Sequence, residues 1–194
     1  MASINSPSAV STDDPPGWTY NPSAWSERIP IAAAAVIGLG IAVYLSLFQL
    51  NVVGSVWDPF FGSASSEKIL TSSLSRVLPI PDAALGAISY LLDAVSGVIG
   101  KTRRWKTMPW IVLVFGFAVG PLGVTSLFLV IAQPVFFQAW CSLCLASAVI
   151  STVMIGPAMD EVLASLQYLQ RVKRSGFSVW KALWGDAEIN RQVA

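Results

Sequence analysis

The chain has 194 residues, 54% of them hydrophobic and 12% charged, with a net charge of +1. Soluble domains carry about 25% charged residues, so half that value with long apolar runs indicates an integral membrane protein, and runs of helical span length make its expected class all-α. There is no histidine and there are only two cysteines. The usual imidazole base is therefore missing, and a closed zinc site is excluded within one chain. No basic patch with interleaved aromatics lies outside the membrane flanks, so nucleic-acid binding has no support.

Residues 1–24 are rich in Ser, Pro, Asn and Asp and read as a disordered leader. They lack the basic start and apolar core of a signal peptide. The first expected span, 29–50, is 22 residues without a charge, enough to cross about 30 Å of hydrocarbon. A polar, proline-marked segment follows over 51–81 and contains Trp57-Asp-Pro-Phe-Phe-Gly62. Within it Ile69, Leu70, Leu74 and Val77 recur at helical spacing, which predicts a short amphipathic helix on the membrane face. The second span, 82–99, is weaker because it contains Asp82 and Asp93. Asp93 lies toward its inner end and reads as a buried polar contact or as a group reaching the interface.

A compact basic turn, Lys101 to Lys106, precedes 53 uncharged residues from Thr107 to Met159. That run is too long for one span and right for two, hinged at Gln133-Pro134. The third span is then 109–131 and the fourth 135–156. Beyond it, Val162, Leu163, Leu166, Leu169 and Val172 share a face, so Asp160 to Arg174 is predicted as an interfacial helix. Phe177, Trp180 and Trp184 follow as an aromatic patch. The domain reading is a leader over 1–24, a four-helix transmembrane bundle over 25–159 with one long outer loop, and a cytoplasmic amphipathic tail over 160–194.

Four spans put both termini on one side. Ten of the twelve Lys and Arg fall on that side, leaving only Lys68 and Arg76 opposite. The positive-inside rule then makes both termini cytoplasmic and the long loop outer, periplasmic or lumenal. Trp140 marks the outer interface, Trp105 and Trp110 the inner one.

Both cysteines lie in Trp140-Cys-Ser-Leu-Cys144, at the expected outer end of the fourth helix. At i, i+3 the two sulfurs share a face one turn apart, and they meet the oxidising compartment. Unpaired amides and the positive end of the helix dipole favour thiolate there. Cys141, nearer the helix end and water, is expected to exchange disulfides with a partner. Cys144, one turn deeper, is placed to hand two electrons to a quinone in the bilayer. Cysteine also serves as a small packing residue on apolar helices, and spacing alone leaves that reading open.

The wider pattern resembles the vitamin K epoxide reductase family, four-helix membrane oxidoreductases that pair quinone reduction with disulfide formation. Three stretches carry the likeness. Ser66-Glu-Lys-Ile-Leu-Thr-Ser-Ser-Leu-Ser-Arg76 is similar to the family's half-helix in the outer loop. Ile80-Pro-Asp-Ala-Ala-Leu-Gly-Ala-Ile-Ser-Tyr90 is similar to the opening of its second helix. Trp140-Cys-Ser-Leu-Cys-Leu-Ala-Ser-Ala148 looks like its quinone-proximal Cys-x-x-Cys helix.

The resemblance implies Cys141 and Cys144 as the catalytic pair, with Cys144 beside a quinone acceptor, ubiquinone or menaquinone. It implies Asp82 where the family has a polar residue that hydrogen-bonds a quinone carbonyl; local chemistry alone makes Asp82 a helix N-cap after Pro81. Gly86 and Tyr90 also fall on family positions, reading equally as close packing and a belt aromatic. The implied partner is an extracytoplasmic, thioredoxin-like dithiol protein. One departure stands out. The family's outer loop holds a second cysteine pair, whereas here Ser66 occupies one of those positions and residues 51–81 contain no cysteine. A separate dithiol protein exchanging directly with Cys141, an engineered serine, or a scaffold drifted from catalysis each account for this. The alternative function is accordingly a quinone- or lipid-binding, or scaffolding, membrane subunit.

Overall fold

The structure, a computed structural model, describes residues 13–73, 75 and 80–193. It is all-helical over those residues. In chain order the helices are α1 (Trp25–Gln49), α2 (Ser63–Leu70), α3 (Asp82–Val98), α4 (Arg104–Thr107), α5 (Pro109–Ala132), α6 (Ser142–Arg174), α7 (Val179–Leu183) and α8 (Ala187–Val193). A π turn, Gln133–Phe137, extends α5. Three helices, α1, α5 with its π turn, and α6, are long and apolar enough to cross a membrane. At 17 residues α3 is about 25 Å long and falls just short of that length.

Small residues let the long helices approach closely, the usual device where lipid replaces water around a bundle. α1 lies along α3, and α5 along α6, with further α1–α6 and α3–α5 contacts. Ile31, Ala35 and Ala42 of α1, Tyr90 of α3, Phe115 and Val119 of α5, and Met154 and Ala158 of α6 form the central core. Gly38 makes room for Tyr90: a Cβ there would sit 2.5 Å from the tyrosine ring.

One end of the bundle, the turn end, is closed by charge. α3 stops at Val98, leaving carbonyls with no partner in the helix. Two arginines, both almost wholly buried, take them up. Arg28 Nε, Nη2 and Nη1 donate to the carbonyls of Gly97, Ile99 and Gly100 at 2.9, 2.7 and 2.9 Å. Arg104 Nη1 donates to Ser96 and Ile99. The other edge of the Arg104 guanidinium meets both carboxylate oxygens of the buried Glu161, which also accepts from Ser23 Oγ. This bidentate pairing is the geometry that makes a buried charge tolerable.

Four sequence expectations change here. Residues 13–24 of the leader are ordered against the bundle: Trp18 donates to Gln167, Tyr20 to Asp160, and Asn21 to the Thr102 carbonyl, while Asp13 pairs with Arg103. Aromatic and amide side chains at the right spacing overrode the polar composition. The last long helix starts at Ser142 rather than at 135. It also runs unbroken to Arg174, so the expected interfacial helix is its continuation. At 33 residues it is about 50 Å long and outruns the hydrocarbon. Finally, Asp93 is fully buried and reaches no interface; its two oxygens have no hydrogen-bond partner among the described residues. Leu74 and Val77, expected on the amphipathic helix, lie outside the described residues.

The tail folds back. Ala182 of α7 and Ile189 of α8 join Trp105, Ala164, Tyr168, Leu169 and Val172 in a second core. Trp184 lies against Trp110 at 5.4 Å, while Trp180 and Trp184 remain largely exposed.

Candidate redox site

The site is built by the way α5 ends. The π turn closes on Gln133, whose carbonyl accepts the amide of Gln138, and Gln138 is left-handed at φ 47°. This reverses the chain over only a few residues. The buried Gln133 side chain then reaches across the reversal, its Oε1 accepting the Cys141 amide at 3.0 Å.

Cys141 is extended and serves as the N-cap of α6, with Sγ accepting the Cys144 amide at 3.1 Å. A sulfur thus satisfies one of the four amides that every helix start leaves open. One turn on, Cys144 is joined to Cys141 in a disulfide, with the Cα atoms 5.2 Å apart. Exposure runs opposite to the sequence expectation. Cys141 is 0% exposed and Cys144 only half-buried, because the α1–α3 loop folds over the helix start.

That loop is held by one carboxylate. Asp58 accepts from the amides of Phe60 and Phe61 at 3.0 and 2.9 Å, and from Ser66 Oγ on α2 at 2.5 Å. It also accepts from the amide and Oγ of Ser142 at 2.8 and 2.5 Å. Burial works against ionisation of Asp58, but the bonds from Ser142, Ser66 and the two backbone amides outweigh it. The carboxyl is held well below the usual carboxylate range. Beside it, Ser65 Oγ donates to the Trp140 carbonyl at 2.7 Å and accepts from its amide at 2.9 Å. Phe61 stacks on Trp140 with ring centres 6.1 Å apart.

Beneath the loop, Leu45, Val56 and Leu70 form a buried cluster against which Ile41, Tyr44, Phe48, Ala83 and Cys144 pack. The half-buried sulfur therefore borders an apolar wall contributed by α1, α2 and α3. Asp82 stands at the rim. Pro81 takes the N-cap, so Asp82 is the first helical residue and not the cap; its Oδ1 accepts from Gln49 Nε2 at 2.5 Å and from the Ala83 amide at 2.9 Å. Gly86 faces Ala42 with ordinary spacing. Tyr90 is a core residue and not a belt aromatic: its hydroxyl donates to the Ser147 carbonyl at 2.7 Å and lies 3.0 Å from Ser147 Oγ, one turn below Cys144. Apolar walls with a polar rim at one end suit a lipophilic ring carrying carbonyl oxygens.

Sequence reasoning missed Asp58, Ser65, Gln133 and Ser142. Asp58 had one visible signal, a lone acid before Pro-Phe-Phe-Gly in an otherwise uncharged stretch, which suits a carboxylate bonding amides two and three residues on.

The sequence profile of the vitamin K epoxide reductase family matches residues 29–158. The chain belongs to that family. The match spans α1 through most of the apolar part of α6, and so takes in the disulfide, the loop above it and the wall below. Compared with individual curated proteins, the chain has no match. Vitamin K epoxide reductase family members are membrane oxidoreductases acting on quinones with thiol redox partners, and this chain is an oxidoreductase of that kind. Among the described residues there is no group of three or more His, Cys, Asp or Glu placed to hold a metal ion.

Proposed function

We propose that this family member is a thiol:quinone oxidoreductase working through Cys141 and Cys144. The observation that carries the reading is the disulfide at the first turn of α6, its Cys144 sulfur against the apolar wall of Leu45, Val56, Leu70 and Ala83. A partner dithiol reduces the disulfide to Cys141 and Cys144 thiols and leaves as its own disulfide. The cysteines then pass two electrons and two protons to a quinone, ubiquinone or menaquinone, and close again. Cys144 faces the quinone, and Cys141 exchanges with the partner. Asp82 with Gln49 fits the carbonyl end, and Gly86 and Tyr90 line the α3 side.

The bundle is read as four spans, α3 being the short one, with both termini cytoplasmic. This orientation rests on the ten Lys and Arg at the turn end and the tail. It makes the α1–α3 loop and the cysteines extracytoplasmic, where a thioredoxin-like dithiol protein is the matching partner. No cysteine in residues 51–81 relays electrons, so the partner exchanges directly with the α6 pair.

Thiol trapping tests this. Purified reduced protein loses both free thiols on adding ubiquinone or menaquinone, and Cys141→Ser and Cys144→Ser each abolish the loss. Thiols that stay free under both quinones would instead identify a quinone- or lipid-binding scaffold.

A further inference from the structure

The proposed exchange has an obstacle in the structure: Cys141 has no exposed surface. An external thiolate must come in line with the S–S bond, so whatever covers Cys141 has to part first. The cover is tied to the start of α6 by few bonds. Gln133 grips the Cys141 amide from the π turn and stays with the helices. The α1–α3 loop and α2 reach the Trp140–Ser142 segment through Ser65 and Asp58. Asp58 alone joins three segments: its own loop through Phe60 and Phe61, α2 through Ser66, and α6 through Ser142.

We propose that Asp58 is a positioning residue of the redox pair, latching the loop over Cys141 and releasing it when a second thiol must enter. This deepens the reading of Cys141 and Cys144 as the redox pair and rests on it. All five donors are neutral amides and hydroxyls, and only the two from Ser142 cross to α6, so lifting the loop breaks two bonds whose places water can take. The carboxylate also bonds the peptide amide directly after Cys141, so while closed it disfavours a second negative charge on that sulfur. With the latch open, a partner thiolate attacks Cys141 Sγ and the S–S bond breaks onto Cys144 Sγ, which takes a proton. The partner's second thiolate then attacks its own sulfur in the mixed disulfide and releases Cys141 as a thiol. The partner is oxidised by two electrons and the pair reduced by two.

The test uses Cys144→Ser, in which Cys141 is the only thiol. Its rate of alkylation by N-ethylmaleimide is followed from pH 6 to 9, in detergent and after denaturation in sodium dodecyl sulfate. Adding Asp58→Ala raises the native rate about tenfold or more, the effect of one pH unit in thiolate fraction alone. Asp58→Asn, which keeps the size and removes the charge, moves the midpoint of the pH profile down. Ser66→Ala, losing one of five bonds, gives a smaller rise. Rates within about twofold of the background for both Asp58 variants overturn the latch. If both Asp58 variants already react at the denatured rate, Ser66→Ala decides: a graded rise supports the latch, and no rise overturns it. The readout needs neither quinone nor partner, so its failure is distinguishable from failure of the quinone assay.

Discussion

The two ends of this bundle solve the same problem, a helix terminus buried under other chain, with opposite chemistry. At the turn end, Arg28 and Arg104 cover the last carbonyls of α3, and Glu161 neutralises one of them in a bidentate pair. At the loop end, the single carboxylate of Asp58 and the sulfur of Cys141 cover the first amides of α6, and only neutral donors surround them. Opposite charges taken out of water together separate at high cost. Neutral donors on one carboxylate, in a loop bordering water, separate at lower cost, because water takes their place and no counter-charge is stranded. One end is therefore a fixed clamp and the other the easier to open, which matches the proposed exchange, a reaction that needs access at one end only.

The strongest way to break this comparison is at the clamp. Glu161→Gln leaves the Arg104 guanidinium buried without its counter-charge and costs about 3–5 kcal/mol. Thermal unfolding in detergent should show this as the largest single loss in the molecule, and an unfolding temperature close to wild type would contradict the clamp. Midway between the ends, Gly38→Ala puts a methyl where the Tyr90 ring lies and costs about 1–3 kcal/mol by forcing the ring off Ser147. Tyr90→Phe, which removes only the hydroxyl bond, costs about 0.5–1.5 kcal/mol in the same assay. A larger loss for Tyr90→Phe than for Gly38→Ala would show that the hydroxyl matters more than the ring's position.

The smallest effect is expected from pH. Asp58 has a folded-state pKa held below its unfolded value of about 3.9, so its contribution is fully present above that value. It is lost as pH falls through the depressed folded value. Hydrogen-exchange protection of the Ser142 amide, corrected for the intrinsic rate, should stay level from pH 8 to 5 and fall only below about 4. A step near neutral pH would mean that another group holds the loop.

Much of the scaffold was legible because apolar runs and charges mark helices plainly. The runs at 29–50, 82–99 and 109–131 each coincide with a helix, α1, α3 and α5. The break between α5 and α6 was legible only as a proline hinge, since the chain is uncharged and apolar on both sides of it. Its true position, through the π turn to Cys141, is set by Gln133 and Ser65 reaching across from elsewhere. Asp160 opens the stretch expected as an interfacial helix, yet Glu161 beside it is buried, because its partner Arg104 lies 57 positions away and only folding brings the two together. The disulfide cysteines were visible as a motif. The cover over them was not, because a hydrogen-bonded loop leaves no periodic trace in sequence.

The sulfur that caps α6 is also the one that the proposed exchange would charge. In the disulfide, Cys141 Sγ accepts the Cys144 amide as a neutral atom; as a thiolate it would accept the same proton through a charge-assisted bond. The redox state is thereby written into a single backbone bond at the head of a 33-residue helix. Under the proposed exchange, the Cys144 amide resonance of isotope-labelled protein becomes a gauge of the state of that bond.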